Sequence, residues 1–161
     1  MKALKNISVW LFIVAAFNVV NAQSKTDSKS SKTEAVKTKV TSKHYTFIAT
    51  YALPLRGGAK QLTSEYDLRV TPDSLIAFLP YFGRVYYDAP YGATDGGIKF
   101  TSTRFSYNVT SEKHGGWEIT IKPTDAKNVN SMVLDISADG YASLAVTSAN
   151  RDFISFNGYL K

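Results

Sequence analysis

The chain has 161 residues, no cysteine, and 19 Lys and Arg against 13 Asp and Glu, a formal charge of +6. Such a length supports one domain, and the missing cysteine excludes a disulfide framework, a thiolate zinc site and a lipid-modified cysteine. A surplus of positive charge suggests nucleic acid or an anionic membrane, so its position along the chain decides what it means.

The first five residues carry Lys2 and Lys5, an apolar run extends from Ile7 to Phe17, and a cut after Ala22 would leave Val20 and Ala22 at positions −3 and −1. This is the pattern of a secretory signal peptide. A membrane anchor needs about 18 or more uninterrupted apolar residues, and Asn18 and Asn21 interrupt this run. Residues 1–22 are therefore expected to be removed. The product is expected in the periplasm or outside the cell, with no stable membrane span, and not as a lipoprotein.

Residues 23–43 are rich in Ser, Thr and Lys, with Ala35, Val36 and Val40 as their apolar content. Burial on that scale does not offset ordering entropy, so a disordered tether is expected. Six lysines against Asp27 and Glu34 give it +4, while residues 44–161 hold 11 basic and 11 acidic side chains. The folded part is thus electrically balanced, which argues against nucleic acid as a partner.

Residues 44–161 are expected to form a single all-β domain. Tyr45, Phe47, Ala49, Tyr51 and Leu53 share one parity; Tyr66, Leu68 and Val70 another; Trp117, Ile119 and Ile121 a third. Alternation of this kind marks half-buried antiparallel strands, and little helix is expected. Thr71-Pro72-Asp73-Ser74, Lys113-His114-Gly115-Gly116, Ala138-Asp139-Gly140 and Asn150-Arg151-Asp152 read as reversals between them. The phase of the apolar residues changes between Ile98 or Phe100 and Phe105, so a bulge or turn is expected near Thr101–Arg104. About eight strands with one apolar face form an antiparallel meander closed as a small or flattened β-barrel, with a β-sandwich as the second architecture.

Between Leu79 and Phe100 the alternation gives way to an aromatic block, LPYFGRVYYDAPYG, and then GGIKF. Together with Lys113 to Trp117, GYASLAV (Gly140 to Val146) and Asn150-Arg151 to Gly158, this block resembles the bacterial exported family known as domain of unknown function 4251. The resemblance covers roughly Tyr45 to Lys161. It implies export from a Gram-negative bacterium and one compact domain. It brings no substrate, activity or catalytic residue.

The aromatic block admits two accounts. In one, Phe82 and the tyrosines plug the barrel end, and Arg84 pairs with a carboxylate. In the other, Tyr81, Phe82, Arg84, Tyr86, Tyr87 and Tyr91 form a binding surface on a long loop. Catalytic pairs are scarce: His44 and His114 are the two histidines, and neither a Gly-x-Ser-x-Gly elbow nor an HExxH motif occurs. No catalytic residue, metal or cofactor is expected. Asp88, Asp95 and Glu118 are remote acid candidates for a hydrolase working through a carboxylate pair. The reading that follows is a non-catalytic binding or interaction domain of the cell envelope, whose partner is an envelope protein or a glycan. A carrier of a small apolar ligand in a barrel cavity is the alternative.

Overall fold

The structure is a computed structural model that describes residues 30–87, 96–112 and 115–161. The expected signal peptide and the start of the expected tether lie outside the described residues, as do Asp88, Tyr91, Asp95 and His114. The described residues contain β1 (Tyr45–Pro54), β2 (Lys60–Val70), β3 (Leu75–Leu79), β4 (Ile98–Ser102), β5 (Phe105–Ser111), β6 (Trp117–Pro123), β7 (Val129–Ile136), β8 (Tyr141–Ser148) and β9 (Ile154–Leu160). They form one sheet in the order β4-β3-β2-β1-β9-β8-β7-β6-β5, antiparallel at every step. The all-β meander is therefore a single, nearly closed barrel-like sheet rather than two packed sheets.

β4 and β5 sit at the two free edges, yet Thr103 and Arg104 alone separate them in the chain. Eight antiparallel steps around the sheet make these two strands run in the same direction. They act as one kinked strand, whose first half pairs with β3 and second half with β6. The phase change at Thr101–Arg104 is this kink, and merging its halves recovers the eight strands of a simple up-and-down meander. Asp125, after β6, ties the kink down: it accepts from the Ser102 hydroxyl and from the Thr103 amide at 3.1 Å, and the Arg104 Nε lies 3.9 Å away. The Ser102 hydroxyl first, and the backbone amides with it, hold the Asp125 carboxyl below the usual carboxylate range.

Inward-facing residues fill the barrel. Phe47, Leu68, Leu75, Leu79, Ile119, Ile121, Met132, Leu134, Leu144 and Phe156 are all completely buried. The predicted parities hold for β2 and β6, but β1 departs from its pattern. Its register shifts between Ala49 and Tyr51 against both neighbours, so Ala52 is buried and Tyr51 is exposed. This bulge bends β1 over β9, where a Cβ on Gly158 would lie 1.8 Å from the Ile48 carbonyl oxygen. The close approach of two backbones requires glycine there.

The expected disordered tether is corrected over its second half: residues 30–42 form a helix, α1. Val36 and Val40, four residues apart, share one face and belong to the barrel's core cluster, at 7% and 2% exposure. Each such burial is worth about 1.5–3 kcal/mol, which adds to the helix's own backbone hydrogen bonds against its ordering cost. The helix ends in a Schellman motif, with the His44 amide bonded to the Lys39 carbonyl, the Lys43 amide to that of Val40, and Lys43 at φ 54°. α1 lies across one end of the barrel. There the Tyr107 hydroxyl donates to the Val40 carbonyl at 3.2 Å and Tyr45 donates to Tyr107 at 3.1 Å. On the far side, Val36 faces Gly140 in the β7–β8 turn.

Candidate functional site

The opposite end of the barrel holds the end of β3, the start of β9 and the aromatic block. Pro80, Gly83 and the absence of alternation stop β3 from continuing. A Cβ on Gly83 would lie 2.5 Å from the Tyr81 hydroxyl oxygen, so glycine lets Tyr81 fold back over its own backbone. Tyr81 donates to the Arg84 carbonyl at 2.9 Å, with the Asp152 carbonyl at 3.1 Å. Residues 81–87 thus become a strap laid across the β8–β9 turn.

Asn150, Arg151 and Asp152 hold the strap. Val85 forms an antiparallel bridge with Arg151, the Tyr86 amide bonds to the Asn150 carbonyl at 2.8 Å, and the Asp152 amide bonds to that of Arg84 at 3.1 Å. The Asn150 side chain, completely buried, donates to the Tyr87 carbonyl at 3.0 Å. Tyr86 donates its hydroxyl to the Asp152 carboxylate, and the Arg84 amide reaches the other oxygen at 3.4 Å. Tyr87 donates to the Ala149 carbonyl at 2.9 Å. Arg151 donates to the Gly96 and Gly97 carbonyls and places its guanidinium 5.1 Å from the centre of the Tyr81 ring.

The electrostatics follow from these bonds. The Tyr86 hydroxyl is the main cause of a depressed Asp152 carboxyl, with the Arg84 amide and the charges of Arg56 and Arg84 acting the same way against a desolvation cost. The same hydrogen bond raises the Tyr86 phenol above its ordinary value. Arg84 therefore meets Asp152 through its backbone and its field, while its side chain is exposed.

The block divides accordingly. Tyr81 and Phe82 are half-buried and pack on the core, as a structural plug does. Tyr86 and Tyr87 are 64% and 56% exposed, with their hydroxyls held and their rings open to solvent. Leu55 and Phe153, flanking the paired Pro54 and Ile154, add exposed apolar surface at the same end. The structure thus brings Tyr81, Phe82, Arg84, Tyr86 and Tyr87 together and adds Asn150, Arg151, Asp152 and Arg56. Sequence reasoning read Asn150-Arg151-Asp152 as a turn alone. Two polar residues buried in a reversal could have been found only through their partners 60 to 70 positions away.

The remaining candidates are dispersed. Glu118 lies on β6 opposite Asp135 of β7, at the other end of the barrel, and His44 is exposed beside α1. Among the described residues no group of three His, Cys, Asp or Glu is placed to hold a metal ion. No described helix is long and apolar enough to cross a membrane.

The fold and this end of it define an all-β, nearly closed meander barrel carrying an aromatic strap. A family model described as "Domain of unknown function (DUF4251)" matches residues 27–160, and the chain belongs to that family. The chain is also similar to the crystal structure of a DUF4251 family protein from Bacteroides eggerthii, with a TM-score of 0.62 and 15% identity over 80% of this chain and 86% of that one. At that identity the likeness is one of fold. No curated protein matches the chain.

Proposed function

We propose that this protein is an exported, non-catalytic binding domain of the bacterial cell envelope, which holds a protein or glycan partner on the strap Tyr81–Tyr87. The observation that carries the reading is the state of Tyr86 and Tyr87: both hydroxyls are tied to the β8–β9 turn while both rings stay largely exposed. Exposed aromatic rings cost burial that a purely structural role would recover. Rings already fixed lose little entropy when a partner covers them. Tyrosine and arginine together are also the residue types that dominate binding energy at interfaces.

The alternative of a small apolar ligand inside the barrel has less support, because Phe47, Leu68, Met132, Leu144 and Phe156 occupy that interior. The test is capture of envelope components by the protein and by Tyr87→Ser and Arg84→Ser variants, with circular dichroism and melting as the control for folding. Loss of capture with an unchanged melting curve supports the proposal. Equal capture by the wild type and both variants overturns it.

A further inference from the structure

The kinked strand has a consequence at the strap end. Because β5 continues only beyond Thr103, no strand among the described residues pairs with the side of β4 turned away from β3 over Ile98–Phe100. The residues facing that edge are the β6–β7 connection and the first residue of β7, and Asp125 bridges the two sides only at the kink itself. Between them lies a cavity of about 190 Å³ lined by Ile98, Phe100, Ala126, Val129, Lys127 and Arg151, among others.

We infer that this seam cavity is a binding site for a small carboxylate with a compact apolar body. Its walls separate by chemistry. Ile98 and Val129 are buried, and Phe100 and Ala126 pack on the core, so they supply an apolar surface. Arg151, Lys127 and Lys99 supply positive charge, the last with its Nζ held 4.6 Å from the centre of the Phe78 ring, with Asn128 and Ser148 as further polar groups, and no carboxylate is among the lining residues. Arg151 lines the cavity while one of its terminal nitrogens donates to the Gly96 and Gly97 carbonyls, and its buried Nε has no hydrogen-bond partner among the described residues. Lys127 has no ion pair among the described residues. The nearest carboxylate in sequence, Asp125, is already engaged by Ser102, Thr103 and Arg104.

Size narrows the ligand. Drug-sized molecules occupy roughly 300–1,000 Å³, whereas an apolar cavity of about 150 Å³ admits benzene. A ring or short branched chain bearing one carboxylate fits the remaining space, with the apolar body against Ile98 and Phe100 and the carboxylate toward Arg151 and Lys127. Tyr86 and Tyr87 take no part, so binding here is read independently of a partner held on the strap, although Arg151 serves both.

The experiment is a titration of the isotope-labelled protein with benzoate, benzamide and inorganic phosphate, followed by amide NMR shifts. Saturable shifts at Ile98–Phe100, Ala126–Val129 and Ser148 are expected with benzoate. Benzamide and phosphate should bind about tenfold more weakly, the loss of one charge-assisted hydrogen bond or of the apolar contact. Lys127→Gln should weaken benzoate by a similar factor. It is the deciding variant, because Arg151→Met also removes bonds that hold the strap. Absence of saturable shifts in the millimolar range, equal binding of benzamide, or an unaltered Lys127→Gln variant would each overturn the assignment.

Discussion

Tyr86 donates its hydroxyl to the carboxylate of Asp152, 66 residues further along the chain, while 64% of its own surface stays open to solvent. One bond thus fixes both the strap and the attitude of an exposed ring. It also makes the strap sensitive to acid. The hydrogen bonds favour the ionised carboxyl, whose pKa is depressed in the folded protein. The stabilisation is therefore complete above the ordinary carboxylate range and disappears as pH falls through the depressed value. Amide hydrogen exchange at Arg84 and Tyr86 should accelerate on acidification before the barrel strands respond. In Asp152→Asn the strap should already exchange fast at neutral pH, and that acid step should vanish.

Asn150 offers a second way to free the strap. Asn150→Ala removes the donor to the Tyr87 carbonyl, at a cost of about 1 kcal/mol for one hydrogen bond. Limited proteolysis within residues 83–87 should become faster, with the barrel's melting temperature falling only modestly.

Val40→Ala should destabilise the domain by about 2 kcal/mol through lost burial and the cavity left behind. Tyr107→Phe should cost about 1 kcal/mol by leaving the Tyr45 hydroxyl without its acceptor, while the Val40 carbonyl keeps the Lys43 amide. Chemical denaturation measures both. A residue range that were a mere tether would show no change for Val40→Ala.

Burial pushes the Tyr45 phenol well above its ordinary value, with Tyr107 adding to the effect. Its stabilising contribution is complete below the unfolded tyrosine pKa and declines as pH rises beyond it. Ultraviolet titration should show Tyr45 ionising only together with alkaline unfolding, and Tyr45→Phe should flatten the stability loss above about pH 10.

Gly158→Ala tests the crossing of β1 over β9. The added methyl meets the Ile48 carbonyl with no room to move, and the cost should reach about 3 kcal/mol or more. A melting temperature close to wild type would mean that the backbones of Ile48 and Gly158 do not approach this closely.

Much of the barrel was legible because period-two burial is a local signal. Tyr66-Leu68-Val70 and Trp117-Ile119-Ile121 face inward as their alternation implies. Two features escaped for the same physical reason, that a partner distant in sequence decided them. Tyr51 continues the parity of Phe47 in the sequence, but a bulge set by the pairing of β1 with both β2 and β9 turns it outward. Val36 and Val40 are too few to announce a helix, yet they suffice once a barrel end is there to receive them. At the strap, the aromatic residues announced themselves by density, whereas the anchoring Asn150 and Asp152 are ordinary turn residues until the strap is placed over them.

The closing of β1 on β9 gives the molecule a front and a back. Thr46 and Lys161 exchange backbone hydrogen bonds at 2.8 and 3.4 Å, so the segment entering from α1 and the C-terminal residue emerge side by side at the same pole. The strap and the seam cavity occupy the other. Immobilisation through residue 161 would leave Tyr86 and Tyr87 pointing away from the support, so a fusion or surface coupling there can be used to weigh partners without masking the face that meets them.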